Sequence, residues 1–429
     1  MRIEKAICYS FHLRSEEALG YLRLIGPLRH AGISIINGIE DDQVLAGKIS
    51  EGEIVIFQRD FPILIDEFRK VLDTAREEGK AVVFDLDDLL FCLPKNHPAA
   101  QHYASSLLPM FRAMTEVDLI SVSTPKLRDV LGEYNDHIVV LPNFLDDALW
   151  QFRPPVFKKF KNEPLTIGYM GGLSHKADLE YIAPVIRDLI YRYPRKVNFH
   201  FWGIEPPEEV SSLDQVSYTR NYHPSYKDFA SFFQNQSADI FLAPLEDNLF
   251  NRCKSPIKFF EYSALGAPGV FSNLETYQEV VIHGKNGLTA STLEDWSTCL
   301  VQLIENDELR FQLANNAQAT IRESWLLSKN SMRWQDTYAK LIDFPSHPEL
   351  RSQDDLLHSV ITQSVEIFKE KEIEIQKLKL QLADREVAIQ EVVEKKNQAE
   401  AVNARLLASK SWRITYPLRK IIEKLRRMK

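Results

Sequence analysis

The chain has 429 residues, 45% hydrophobic and 26% charged, the composition of a globular protein too long for one ordinary domain. Its formal charge of −8 argues against a dedicated nucleic-acid binder. No window approaches the ~18 uncharged apolar residues of a membrane span, and the stretch from Met1 to Ala6 lacks the apolar core and cleavage site of a signal peptide, so a cytoplasmic protein is expected.

Residues 1–150 alternate between strand and helix patterns. Short apolar runs predict strands at Lys5–Tyr9, Ile33–Ile36, Glu53–Phe57, Ala81–Asp85, Leu119–Ser123 and Ile138–Pro142. Helices are expected from Ser15 to His30, with a kink or split at Gly26-Pro27, and from Pro62 to Glu78. Such alternation implies a parallel sheet covered on both faces. A linker follows, broken by Arg153-Pro154-Pro155 and basic from Phe157 to Pro164. The pattern then restarts, with strands at Leu165–Met170, Val197–Gly203, Asp239–Pro244 and Gly269–Ser272 and a helix over Leu179–Tyr193. Two doubly wound, Rossmann-like α/β domains, 1–150 and 151–346, would face each other across a cleft, and ligands bind beyond the carboxyl ends of such strands.

From 351 to 408 straight-chain and charged residues dominate without proline or glycine, which predicts a long helix. Ile361, Phe368, Ile375, Leu382 and Ile389 recur every seven residues, one seam of a heptad; four positions on, Val365 is followed by Glu372, Lys379 and Glu386. A homo-oligomeric coiled coil through 361–389 is one reading, and a solvated helix lying on the body is the other. The tail, 409–429, sets eight cations against one acid, Glu423, and adds Trp412, Tyr416, Ile421 and Ile422. This mixture suits an anionic membrane surface, the inner face of the cell membrane; the alternative packs Trp412 and Leu418 on the body. Cys8, Cys92, Cys253 and Cys299 are scattered, without metal-ligand spacing, and fit a reducing compartment.

The most informative segment runs from Asn251 to Pro268. Ser255 is placed as N-cap, Pro256 as first helical residue and Gly266 just past the end, with Pro268 preventing continuation. The helix sits between two strands, so its N-terminus faces the ligand edge and offers free N–H groups to an anion. Lys254 and Lys258 lie four residues apart on one face, and Glu261 projects from nearly the same face. A diphosphate at the helix start with a carboxylate one turn deeper is a sensible nucleotide-sugar arrangement; an ordinary solvated, salt-bridged face is the alternative.

The run Lys254-Ser255-Pro256-Ile257-Lys258-Phe259-Phe260-Glu261, continuing to Pro268, resembles the donor signature of the group 1 (family 4-like) glycosyltransferases. The resemblance extends to Gly168-Tyr169-Met170-Gly171-Gly172 and to Tyr277-Gln278-Glu279 with Gly284–Gly287. It covers roughly residues 165–340 and, more loosely, Phe84–Asp88, Ser123–Pro125 and Leu141–Asn143. It implies a GT-B fold, retaining transfer without a protein nucleophile, no bound metal, no cofactor and a nucleotide sugar as co-substrate. Glu261 matches the second glutamate of the family pattern, which contacts the donor ribose, whereas the first falls on Cys253. Lys176 matches a phosphate-binding lysine, but the family's arginine position falls on Gly172.

The implied donor site therefore comprises Gly171, Gly172, His175, Lys176, Ser255, Pro256, Ile257 and Glu261, with Lys254, Lys258 and Glu261 nearest the chemistry. His175 and Asp178 could touch sugar or phosphate, or could be ordinary polar residues at a helix start. Asp85, Asp87 and Asp88 end a strand of the first domain; acceptor binding, an Asp-x-Asp metal site and simple helix capping are the three readings. The Trp-Arg-x-Thr-x-Pro-Leu-Arg tail resembles those of bacterial surface-polysaccharide glycosyltransferases, which implies a saccharide or lipid-linked acceptor and peripheral membrane contact. Two other functions fit the same pattern: a sugar-nucleotide epimerase on this fold, and a non-catalytic interaction protein, for which Cys253 is the best support.

Overall fold

The computed structural model describes residues 2–157, 164–220, 223–343 and 355–427. Most of the expected basic linker (158–163), the boundary between 346 and 351 and the expected start of the long helix lie outside these residues. The first half forms a six-stranded parallel sheet from β1 (Lys5–Tyr9), β2 (Ser34–Asn37), β5 (Ile54–Gln58), β6 (Ala81–Leu86), β7 (Leu119–Val122) and β8 (Ile138–Val140), in the order β2-β1-β5-β6-β7-β8. Every residue of β5 and β6 is buried, because helices cover both faces; this is why these strands read as continuous apolar runs. Two short strands, β3 (Ile39–Glu40) and β4 (Gln43–Val44), pair antiparallel after β2.

The second half repeats the plan with β9 (Leu165–Met170), β10 (Val197–Trp202), β11 (Val216–Thr219), β12 (Ile240–Ala243), β13 (Gly269–Ser272) and β14 (Leu288–Ala290), ordered β11-β10-β9-β12-β13-β14. All its strand pairs are parallel. β11 and β14 were not expected: both are short edge strands, and β11 is exposed at its centre, so neither carries a strong apolar run. The strand order reverses between β9 and β12, and in such sheets the crevice for a ligand lies beyond the carboxyl ends of the strands at this switch point.

Gly26-Pro27 neither breaks nor splits the first helix. The turn Tyr21–Ile25 widens instead, with the Gly26 N–H bonded to the Tyr21 carbonyl five residues back, between the α-helical stretches Ala18–Gly20 and Gly26–His30. Widening relieves the clash between the proline ring and the preceding turn.

The chain also crosses back. Leu145 bridges to Leu326, and Phe144 packs against Trp325 and Trp334 with ring centres 5.6 and 6.1 Å apart. The Gln335 side chain closes two 2.8 Å hydrogen bonds with the backbone of Ile3. The helix Met332–Ile342 therefore sits on the first half although it follows the second in sequence.

Contacts divide the chain into Met1–Thr362 and Gln363–Lys429. The expected long helix runs without interruption over Asp355–Ala408. Ser409 then turns extended and caps a short helix, Lys410–Ile414, and Tyr416–Arg426 follows with Pro417 in its first turn. Among the described residues no helix is long and apolar enough to cross a membrane.

Candidate functional site

β9 ends at Met170 and delivers Gly171-Gly172 to the crevice. A Cβ on Gly171 would lie 2.5 Å from the Tyr169 hydroxyl, so only glycine fits there. At Gly172 a Cβ would meet nothing within 4 Å. The missing arginine is therefore not a packing consequence; the backbone has room for a side chain. The helix Lys176–Arg192 follows, with His175 as its capping residue and Asp178 in its first turn.

The donor-segment helix starts later than expected. It covers Ile257–Ala264 with Pro256, not Ser255, at the N-cap, and no side chain caps it. Asn248 instead caps a separate turn, Leu249–Arg252, and the Lys254 N–H closes on the Asn251 carbonyl at 3.2 Å. Ser255 precedes a proline, which disfavours helical backbone at that position, and its hydroxyl is buried without a hydrogen-bond partner. At the other end Gly266 takes the expected left-handed conformation, φ 78°, where a Cβ would also strike the Arg153 carbonyl at 2.6 Å.

Three of the expected residues converge. Lys258 Nζ lies 3.3 Å from His175 Nε2, and His175 Nδ1 lies 2.8 Å from Asp178 Oδ2. Asp178 Oδ1 accepts from the Glu246 N–H at 2.7 Å and from the Asn251 side-chain amide at 3.0 Å. The arrangement assigns the proton to His175 Nδ1 and leaves Nε2 to accept from Lys258. Burial, with Lys258 and Lys254 nearby, holds the His175 pKa well below its usual range, so the ring is neutral. Burial pushes the Asp178 carboxyl up to about 6.

One helical turn on, Glu261 is buried and accepts from the Tyr226 hydroxyl at 2.9 Å. Burial raises its pKa and lowers that of Lys258, so each group is drawn toward its neutral form while their mutual attraction opposes this. Ile257 begins the helix above this pair. Lys254 turns toward the first half, 3.9 Å from Asp88 Oδ2 and 4.3 Å from the centre of the Phe250 ring. Lys176 is exposed and makes no ion pair among the described residues.

The three aspartates at the end of β6, Asp85 within it and Asp87 and Asp88 just beyond, separate. Asp85 does not line the crevice: it is 2% exposed and takes a two-pronged bond from Arg23, at 2.7 and 3.1 Å, with Ser121 at 2.6 Å. Both faces of β6 are covered, so this carboxylate near its end is buried within the sheet rather than left at the crevice. Asp87 pairs with Arg59, whose guanidinium also reaches Asp88 at 3.0 Å and the Tyr103 hydroxyl at 2.9 Å. Of the three, Asp88 is the one that also approaches Lys254 across the crevice. Among the described residues no group of three or more His, Cys, Asp or Glu side chains suits a metal ion.

Cys253 is fully buried and packs with Phe250 in the apolar cluster of the first half, and its carbonyl accepts from the Thr124 hydroxyl at 2.9 Å. A carboxylate there would be desolvated among apolar side chains, so thiol and packing match. Sequence reasoning missed Arg23, Arg59, Tyr226 and Asn251. Arg59 carried one local oddity invisible in sequence, a left-handed backbone at φ 46°, and the other three touch the site only through distant folding partners.

Residues 164–306 match the family model of glycosyl transferases group 1. No curated protein matches the chain by sequence. Among solved structures, sucrose-phosphate synthase from Thermosynechococcus elongatus superposes with a TM-score of 0.59 at 12% identity, covering 79% of this chain and 99% of that one. Anabaena HepE in complex with UDP and glucose gives 0.56 at 13% identity, covering 79% and 100%. A glycosyltransferase from Rickettsia africae gives 0.54 at 12%, covering 79% and 98%. At these identities the likeness establishes the fold, two parallel-sheet domains facing a crevice. The chain thus has the GT-B fold, and residues 164–306 of its second half match the group 1 glycosyl transferase family model.

Proposed function

We propose that the protein transfers a sugar from a nucleotide-sugar donor, bound at the start of helix Ile257–Ala264, to a saccharide or lipid-linked acceptor approaching from the Asp88 side. The observation that carries this reading is a buried, unpartnered hydroxyl, Ser255, between two cations, Lys254 and Lys258, beyond the carboxyl edge of the sheet. In the proposed reaction the bond from the anomeric carbon to the diphosphate breaks and a bond to the acceptor oxygen forms on the same face. The acceptor proton passes to the departing diphosphate. Lys258, Lys254 and the helix N–H groups stabilise the developing charge; Lys176 meets the outer phosphate. Neutral His175 withholds a second positive charge while its Nε2 holds Lys258 in place. Glu261 accepts from the donor ribose. These cations take the role a metal plays elsewhere, so chelation leaves the rate unchanged in this reading. Asp88 orients the acceptor hydroxyl.

The exposed stripe Leu418, Ile421, Ile422 and Leu425, spaced at helical intervals opposite Lys420, Lys424 and Arg427, supports contact between the tail and an anionic membrane. The exposed part of the seven-residue seam, Phe368, Ile375, Leu382 and Ile389, supports self-association, whereas Ile361 and Val365 at its start are buried in the single chain.

The test is nucleoside-diphosphate release from a panel of nucleotide sugars with EDTA present, for wild type, Lys258→Ala and Glu261→Ala. Turnover of one donor, lost in both variants, with retained anomeric configuration by NMR, is the expected result. A second reading rests on Cys253, whose burial removes the family's first carboxylate: a non-catalytic protein. It gains if no donor binds or turns over. For the tail, Ile421→Asp should abolish flotation with phosphatidylglycerol vesicles, and equal flotation with neutral vesicles would count against it.

A further inference from the structure

The long helix offers a second seam, three residues after the first rather than four. Leu378, Val392, Ala399 and Leu406 follow Ile375, Ile389, Lys396 and Asn403 at that spacing, with Arg385 as the interruption after Leu382. Because Asp355–Ala408 is one uninterrupted helix, the seven-residue phase is carried through from Ile375 to Leu406, roughly 45 Å of axis. The seam side chains are exposed in the single chain, from 42% at Ile375 to 65% at Val392. We infer that residues 375–406 form a parallel, in-register, two-stranded coiled coil with a second copy of this chain.

The charges beside the seam select that occupant. In a parallel pair, the residue just before one seam position faces, on the other strand, the residue five positions later. Glu374 then faces Lys379 of the second copy, and Lys395 faces Glu400, each twice by symmetry. The remaining flank pairs are Gln381 with Glu386, Ala388 with Val393 and Val402 with Leu407, so no like charges meet on the flanks; on the seam itself Arg385 and Lys396 each meet their own copy, a repulsion that the flank pairs and the apolar seam residues must outweigh. Asn403, on the seam, meets itself only when the strands are parallel and in register, where its amide can bond its copy; one polar seam residue of this kind sets register at a cost in stability. A parallel pair also brings both Ser409–Arg427 tails out at the same end, where two basic amphipathic helices engage one surface together. This inference rests on the self-association reading and not on sugar transfer.

The experiment uses the full chain with Cys92→Ser, which removes the exposed thiol; the other three cysteines are buried. Ile375→Cys and Leu406→Cys are introduced separately and oxidised mildly, and mass is measured by light scattering. The expected result is a mass of two 49.5 kDa chains and a disulfide-linked dimer from both variants. An antiparallel pair brings at most one of these positions next to its copy, so cross-linking of only one, or of neither, at dimer mass overturns the parallel register. A one-chain mass overturns the association itself. Lys379→Glu should make the dimer dissociate at tenfold higher concentration, and adding Glu374→Lys should restore it; no change in either variant removes the charge argument. Both substitutions lie on the exposed helix, and unchanged circular dichroism controls for folding.

Discussion

Two charged segments end strands at the same crevice and treat their charges oppositely. At the end of β6, Asp85 and Asp87 are neutralised by guanidinium groups from within the first half, Arg23 and Arg59. At the start of the Ile257–Ala264 helix, Lys258 is half-buried beside a neutral histidine, and a serine hydroxyl beside it has no partner. The first arrangement is complete without a ligand. The second keeps unmet hydrogen-bonding capacity, which folding alone does not reward. Equal-looking charge clusters in sequence thus divide into one that holds the sheet and one suited to an anion.

The largest effect expected from this contrast is on stability. Asp85→Ala strands the buried Arg23 and should cost about 3–5 kcal/mol in denaturant unfolding, whereas Asp88→Ala, at a partly exposed carboxylate, should cost no more than about 1 kcal/mol. Equal losses would erase the distinction. Next comes Lys258→Ala, which should lower donor turnover by about 10²–10³-fold, the range seen when one donor to a developing charge is removed. Its melting temperature should stay the same or rise, since the folded state no longer desolvates a half-buried ammonium group.

pH sharpens the same comparison. Burial depresses the Lys258 pKa, so the cation that binds phosphate is present at low pH and is lost as pH rises through that lowered value. Donor affinity measured by calorimetry should therefore fall below the ordinary lysine range, and Lys258→Arg should move the fall to higher pH. The smallest effect is assigned to Ser255→Ala. Removing an unpartnered hydroxyl should change stability by less than about 0.5 kcal/mol, yet weaken donor binding by about 0.5–1.5 kcal/mol, one ordinary hydrogen bond. A stability loss without an affinity loss would make Ser255 a packing residue.

Much of the fold was legible because its strands are apolar on both faces and its helices are punctuated by proline and glycine. The expected strands formed within a residue or two, and Gly266 ends its helix as its sequence context suggests. Short edge strands escaped notice because half-exposed segments such as Val216–Thr219 have no apolar run to announce them. The site was legible as a list but not as a geometry. Lys258, His175 and Asp178 stand together because two βα turns, distant in sequence, meet where the strand order reverses. Ser255 was misplaced by one residue because Asn248 builds an extra helical turn ahead of it.

By itself, the sequence determined the periodicities: two alternating α/β halves, a long helix carrying a seven-residue repeat, and a basic tail. These follow from local spacing, which sets the face each residue takes on its own element. Which charges neutralise one another was decided by the tertiary structure alone. Arg23 reaches Asp85, Tyr226 reaches Glu261 and Lys254 reaches Asp88 across long stretches of chain, and burial, which governs their charge states, exists only once the sheets are covered.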